Sequence, residues 1–289
     1  MNSFDLSPII SDGMIIQRDA AFPVWSSQKL TVTFLGKTFS SQNIDDKWLL
    51  TLDPSPAGGP FEMKITSDKG SELIRDIYIG DIWLCSGQSN MELPMQRLRD
   101  KYSDEWDLFK RDKQKTNSDT MLLTPNSQLP IIRQFKVLQE YDFTSPRENL
   151  TGGDWVTVSA GTLDQFSGTA WFFAKEMYKK YGIPLGLLNA SWGGTPVESW
   201  MSADALASFP EKISQAKQYA DSDTRDIIAR NTGSAILEWD SNIFRIDAGI
   251  ADNWHNTKTD ISEWNEITLP CDFSAANLSQ FCGVIWLAK

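Results

Sequence analysis

The residues best suited to nucleophilic chemistry in this chain are two serines, Ser86 and Ser89. They lie in the run Gly-Asp-Ile-Trp-Leu-Cys-Ser-Gly-Gln-Ser-Asn-Met-Glu-Leu-Pro, residues 80–94. The apolar residues 77–85 predict a strand that is buried on both faces. A serine on a tight turn at the C-terminal end of such a strand can expose its hydroxyl as a nucleophile, and Gly87 permits the sharp turn. The competing interpretation is that both serines only cap a loop.

A Gly-Gly turn follows a second predicted buried strand, residues 183–190. Before that strand, apolar residues at helical spacing predict a helix over residues 169–181. Strand, helix and strand in this order predict parallel pairing with a right-handed crossover, and therefore an α/β fold. Both turns then lie at the same edge of the sheet, where the backbone N–H groups of Gly193 or Gly194 can approach a ligand closely. A plain tight turn is the alternative.

Both turns resemble one known family. Residues 80–91 and the run Ser-Trp-Gly-Gly-Thr, residues 191–195, are similar to the first and second sequence blocks of the sialate O-acetylesterase family, in the SGNH-hydrolase superfamily. The resemblance implies a flavodoxin-like parallel sheet and a serine esterase that works without a metal or any other cofactor. It implies that Ser89 is the nucleophile. It also implies that the oxyanion hole uses the backbone N–H of Ser89 and that of Gly193 or Gly194.

The same resemblance implies an acetylated carbohydrate as the partner, with candidate substrate contacts at Gln88, Asn90, Trp192 and Glu198. Glu198 is equally well explained as a carboxylate at the start of a helix. The chain has 12 tryptophans, whose flat rings suit stacking on sugar faces, although core packing explains any single one. The substrate is an acetylated sialic acid or, because the chain is acidic, a neutral glycan such as acetylated xylan.

A serine nucleophile needs an adjacent base, usually a histidine that a carboxylate orients. The chain has one histidine, His255, and Asp252 precedes it in the spacing of the Asp-x-x-His block that supplies this pair in the family. Position 256 is asparagine instead of the proline usual in the family, so a surface-loop role for His255 is the competing interpretation. The family's Gln-Gly-Glu block is not found in these 289 residues. The sequence therefore predicts a chain that is truncated before the C-terminal blocks, complemented by a second chain, or inactive.

Three regions are predicted. Short alternating strands with Gly and Pro turns predict a small β-sandwich over residues 1–76, similar to the N-terminal β domain of the family. Residues 77–237 form the catalytic domain, in which the charged residues 97–128 predict a solvated helix and loop or, alternatively, a lid over the substrate. Residues 238–289 are predicted to change to short β-like pieces, and they resemble the start of an inserted galactose-binding-like jelly roll.

The net charge of −11 at pH 7 argues against nucleic acid or an anionic membrane as a partner. No apolar run approaches the roughly 18–20 residues of a membrane span, and the N-terminal residues lack the features of a signal peptide. The family resemblance implies a periplasmic or extracellular location, and the oligomeric state is left open. A non-catalytic carbohydrate-binding protein is the competing functional class.

Overall fold

A computed structural model of the chain describes residues 4–101, 131–159, 161–256, 258–268, 271–272 and 286–287. The chain divides into two compact units, Met1–Ser208 and Phe209–Lys289. Most of the segment predicted as a solvated helix and loop or a lid, residues 102–128, lies outside the described residues. In the described part of the chain, no helix is long and apolar enough to cross a membrane.

The first unit combines strands with helices, which confirms the α/β class. Its strands are β1, Ile15–Gln17; β2, Phe22–Ser26; β3, Thr31–Phe34; β4, Lys37–Ser40; β5, Gln42–Ile44; β6, Lys47–Leu52; β7, Gly58–Ser67; β8, Gly70–Gly87; β9, Ile132–Lys136; β10, Trp155–Thr157; and β11, Leu185–Ser191. Its helices are α1, Ser89–Glu92; α2, Met95–Lys101; and α3, Gly168–Tyr181, with 3-10 turns at Leu163–Gln165 and Val197–Trp200.

The long strand β8 joins the two predicted regions of this unit. Its first half pairs with β7 in antiparallel and with β1 in parallel orientation, and residues 81–87 pair in parallel with β11. The resulting eight-stranded sheet has the order β10-β9-β11-β8-β7-β3-β4, with β1 also paired to β8. The predicted boundary between residues 76 and 77 therefore lies inside one continuous strand.

Two hydrophobic cores lie along this sheet. The first unites the three-stranded sheet β2-β6-β5 with the N-terminal part of the large sheet, since Val24 and Leu50 belong to the same cluster as Ile65. The second lies between α3 and the parallel strands, where Phe166 and Leu187 are fully buried. Full burial of one such apolar side chain contributes about 1.5–3 kcal/mol, so each core holds its own set of elements together.

The second half of β8 differs from the strand predicted from the sequence. Ile77 and Cys85 are buried, but Trp83 is half-exposed and Leu84 is 69% exposed. Side chains of a strand alternate between the two faces of the sheet, and α3 packs on only one of them through the contact of Trp83 with Phe173. Burial on both faces was therefore the wrong prediction for this half.

The helix predicted over residues 169–181 is confirmed as α3. The side chain of Ser167 accepts a hydrogen bond from the N–H of Ala170 at 3.2 Å, and Gly182 ends the helix at a φ of 64°. The helical spacing predicted a buried face that includes Phe173 and Tyr181 but not Trp171. In the structure Trp171 is buried and Phe173 is 39% exposed, so the buried face is rotated from the predicted one.

A buried arginine ties β9 to the N-terminal region. Arg133 is 3% exposed and donates hydrogen bonds to the backbone carbonyls of Gly13 and Asp76 at 2.6 and 2.5 Å. Its other terminal nitrogen donates to the Asp76 carboxylate at 2.7 Å, and its guanidinium lies over the ring of Tyr78. One side chain thus holds the N-terminal strands against the parallel sheet.

The second unit contains the helices α4, Pro210–Tyr219; α5, Ser222–Ile246; and α6, Ala248–Ala251. The predicted change to β structure at Glu238 is wrong for residues 238–246, which continue α5. This stretch has no proline to interrupt the helix, and Asp221 caps its start by accepting the N–H of Thr224. Residues 258–268 contain no strand, and residues 283–285 lie outside the described residues. The jelly roll therefore stays a prediction.

Candidate active site

Ser89 is the first residue of α1, immediately beyond the C-terminal end of β8. Gly87 ends the strand with a φ of 139°, and the carbonyl of Gln88 then accepts the N–H groups of Met91 and Glu92 at 3.0 Å. The serine side chain is exposed at this edge of the sheet. Ser86 differs, because it lies within β8 and is paired with Ala190 of β11. Only Ser89 therefore has the turn position that suits a nucleophile.

The Gly-Gly turn lies next to Ser89. β11 ends at Ser191, and the N–H of Trp192 donates to the carbonyl of Gly87 at 2.9 Å. A Cβ added to Gly193 would lie 3.5 Å from the Cα and Cβ of Ser89 and 2.6 Å from Oε2 of Glu92. The turn therefore lies within van der Waals distance of the serine, and the contact that a side chain at position 193 would disturb is the one with the Glu92 carboxylate.

Glu92 connects the two turns. Its Oε2 accepts the N–H of Gly193 at 2.5 Å, and its Oε1 accepts Nε2 of Gln139 at 2.7 Å. Gln139 also donates to the carbonyl of Ser191 at 3.0 Å. The hydrogen bond from Gln139, followed by that from Gly193, holds the pKa of Glu92 below its ordinary value, with a smaller contribution from the charge of Lys136.

Neither Glu92 nor Gln139 was predicted as a site residue. Glu92 stands three residues after Ser89, a spacing that places two side chains on the same face of a helical turn, and this was the available signal. Gln139 lies in the loop after β9, 47 residues from Glu92 in sequence. No local pattern could have indicated that contact.

The two predicted oxyanion-hole glycines differ in their surroundings. The N–H of Gly193 is already accepted by Glu92, so a substrate oxyanion would compete with a carboxylate for it. Gly194 has a φ of 80°, and a Cβ added there would have no neighbouring heavy atom within 4 Å. Space for a ligand is therefore present at Gly194.

The predicted substrate contacts are distributed around these turns. Gln88 donates from Nε2 to the carbonyl of Thr195 at 2.7 Å, which binds α1 to the Gly-Gly turn. The carbonyl of Asn90 accepts the hydroxyl of Thr169, while its side chain is exposed. Glu198 lies in the first turn of the 3-10 helix Val197–Trp200, the position of a helix-start carboxylate.

Among the residues that the structure describes, Trp192 belongs to a row of three aromatic rings. Its ring centroid lies 4.8 Å from that of Tyr141, with 33° between the ring planes. Tyr141 in turn stacks on Phe143 at 5.8 Å and 14°. Tyr141 and Phe143 were not predicted, because they lie in an irregular loop whose sequence has no recognisable block.

His255 and Asp252 lie in the second unit. Asp252 ends α6, with its N–H donating to the carbonyl of Ala248 at 2.8 Å, and His255 follows in a turn. Both side chains are exposed. Ser89 belongs to the first unit, so the pairing of this histidine with the serine stays a prediction.

A family model described as "Carbohydrate esterase, sialic acid-specific acetylesterase" matches residues 79–230, more than half of the chain. The chain belongs to this family. The resemblance inferred from the two sequence blocks is thereby confirmed. The matched residues include Ser89, Glu92, Gln139 and the Gly-Gly turn.

The chain is also similar to individual members. It is 30% identical to a sialate O-acetylesterase of Rattus norvegicus over 188 residues, which cover 60% of this chain and 31% of that protein. It is 29% identical to the Homo sapiens protein of the same name over 225 residues, covering 70% and 40%. Among solved structures, a carbohydrate acetylesterase from Xanthomonas citri has a TM-score of 0.57 at 31% identity, covering 71% of this chain and 44% of that one. The chain thus spans less than half the length of these relatives.

Proposed function

We propose that this chain acts as a carbohydrate O-acetylesterase that hydrolyses acetyl esters on sugar hydroxyls through Ser89. One observation carries the proposal. Ser89 is an exposed residue at the C-terminal edge of a parallel sheet, its Cα and Cβ lie 3.5 Å from where a Cβ on Gly193 would stand, and the chain belongs to a carbohydrate esterase family. The relatives named sialate O-acetylesterase support the acetyl ester as the reacting group.

In the proposed reaction, the Oγ of Ser89 attacks the acetyl carbonyl carbon while a base takes the hydroxyl proton. The backbone N–H of Ser89, with that of Gly193 or Gly194, stabilises the oxyanion that forms. The intermediate then breaks its bond to the sugar oxygen, which takes the proton from the base and leaves as a free hydroxyl. Water attacks the acetyl-serine, releases acetate and restores Ser89.

The base is a separate proposal. His255 is the candidate in this chain, with Asp252 as its orienting carboxylate, and a surface-loop role competes with this assignment. Replacing His255 with alanine discriminates between the two. If the histidine is the base, hydrolysis falls by several orders of magnitude, because a serine without a base is a poor nucleophile at neutral pH. Unchanged hydrolysis would leave only the surface-loop role.

The substrate and the finer architecture are also proposals. The substrate is an O-acetylated sialic acid or an acetylated neutral glycan, and the negative net charge favours the neutral glycan. The sheet is of the flavodoxin-like SGNH type, with a β-sandwich over residues 1–76, a catalytic domain over residues 77–237 and the start of a jelly roll over residues 238–289. The shared core of the two N-terminal sheets supports the sandwich. A periplasmic or extracellular location follows from the family resemblance alone.

The test is hydrolysis of p-nitrophenyl acetate by the chain and by Ser89→Ala. Loss of the nucleophile is expected to lower the rate by at least about 10³-fold. Ser86→Ala is the matched control, because this serine lies three residues away but within β8, and it is expected to keep the parent rate. Equal rates for the parent and Ser89→Ala would reject the esterase proposal and leave a carbohydrate-binding protein as the function.

A further inference from the structure

The aromatic row, Phe143, Tyr141 and Trp192, is exposed at its centre. The side chain of Tyr141 is 61% exposed although its ring contacts both neighbours. A large aromatic ring that is held in place and left in water gives up the free energy that its burial would contribute. Exposed rings of this kind are common where a protein binds a partly apolar ligand.

The loop that carries Tyr141 is fixed by its own polar contacts. The Asp142 carboxylate accepts the N–H and hydroxyl of Thr144 at 3.0 and 2.7 Å, and Nε of Arg147 at 2.9 Å. Arg147 also pairs with Glu140. These donors, Thr144 first, hold the pKa of Asp142 far below its ordinary value, so the carboxylate stays charged at neutral pH and into the acidic range. The ring of Tyr141 is therefore preorganised, which lowers the entropic cost of binding.

The same loop is joined to the candidate active site. Gln139, two residues before Tyr141, donates to Glu92 of α1 and to the carbonyl of Ser191 at the end of β11. At the other end of the row, Trp192 immediately precedes Gly193, whose backbone lies against Ser89. The row therefore includes the residue bonded to Gly193, whose backbone lies next to Ser89.

We propose that the aromatic row is the sugar-ring subsite of this chain, and the proposal rests on the esterase function proposed above. One face of a pyranose ring presents C–H groups and packs against the solvent-exposed parts of the Tyr141 and Trp192 rings, while an acetylated hydroxyl of the same sugar reaches Ser89. Tyrosine and tryptophan suit this role because their rings are apolar and rigid and carry a polar group at one end. Phe143 stacks on Tyr141 and helps to hold its ring in place.

The experiment measures sugar binding by the Ser89→Ala chain, in which hydrolysis cannot consume the ligand. The probes are an acetylated xylo-oligosaccharide and an O-acetylated sialic acid, titrated by saturation-transfer NMR. Adding Tyr141→Ala is expected to weaken binding of the accepted sugar by about 3- to 10-fold, the effect of one aromatic contact. Tyr141→Phe keeps the ring and is expected to bind within 2-fold of the parent.

Tyr181→Ala is the matched control, because this tyrosine is 51% exposed at the end of α3, away from the row. It is expected to leave binding unchanged. Tyr141-dependent binding of either probe supports the subsite and identifies the sugar class. Binding that Tyr141→Ala does not weaken, or no binding of either probe, would overturn it. Because this assay needs no hydrolysis, the subsite can stand even if p-nitrophenyl acetate shows that the esterase proposal is wrong.

Discussion

The two halves of β8 have opposite surroundings. In the first half, Ile77 and Ile79 are at most 1% exposed and pack in the N-terminal core. In the second half, Leu84 is 69% exposed and the strand ends next to the exposed Ser89. One continuous strand thus has a half that is held by packing and a half that presents groups to solvent. The difference indicates that the N-terminal β region supports the candidate site by anchoring the strand that carries it.

The largest expected effect is the loss of stability in Arg133→Met, which tests whether the N-terminal region anchors β8. The variant removes the hydrogen bonds to the carbonyls of Gly13 and Asp76 and leaves these acceptors without their donor. We expect a loss of about 2–4 kcal/mol in the free energy of unfolding, measured by urea denaturation. Arg75→Met is the control, because this side chain is 61% exposed and should change stability by less than about 0.5 kcal/mol. Equal losses for both variants would mean that Arg133 does not join the two regions.

Gly193→Ala tests the solvent-exposed end of β8, because Gly193 lies next to Ser89, which follows that strand. The added Cβ would lie 2.6 Å from Oε2 of Glu92, so the Gly-Gly turn or the carboxylate must move. We expect the Ser89-dependent hydrolysis of p-nitrophenyl acetate to fall by about 10- to 100-fold, because a displacement of about 1 Å misplaces the oxyanion donors. Gly161→Ala, where the nearest atom to the new Cβ is 3.9 Å away, should keep the parent rate. A rate above that of the parent would show that Glu92 normally blocks the Gly193 N–H.

The smallest expected effect is the contribution of the Glu92 charge to the pH dependence of stability. Its pKa is lowered in the folded chain, chiefly by Gln139 and then by Gly193, so the unfolded chain binds more protons at mildly acidic pH. The stabilisation is therefore complete above the ordinary pKa of a glutamate and is lost as the pH falls through the lowered one. We expect the stability difference between the parent and Glu92→Gln to shrink between pH 7 and pH 3 in urea titrations.

Gln139→Leu removes the first donor to this carboxylate and should weaken that pH dependence. A stability difference between the parent and Glu92→Gln that stays constant with pH would contradict the contacts of Glu92 with Gln139 and Gly193.

The local sequence was sufficient to predict features that depend on contacts between residues close in sequence. Ser89 follows an apolar strand and a glycine, and α3 begins at a serine cap and ends at a glycine, so both could be predicted from neighbouring residues. The two sequence blocks were also sufficient to predict the family. Local reading was wrong for residues 238–246, because a Trp- and Asn-rich composition does not reveal that a helix begun at Ser222 continues through them.

Only the tertiary structure decided how the two turns are connected. The contacts of Glu92 with Gln139 and with Gly193 span 47 and 101 residues, and the Arg133–Asp76 pair spans 57. Such contacts arise when strands from distant parts of the chain become neighbours in one sheet, and no local periodicity records which strands will do so. The sequence by itself determined the nucleophile candidate, the class of fold and the family. The pairing of β8 with β11 decided which backbone and which carboxylate lie beside Ser89, because register sets these distances.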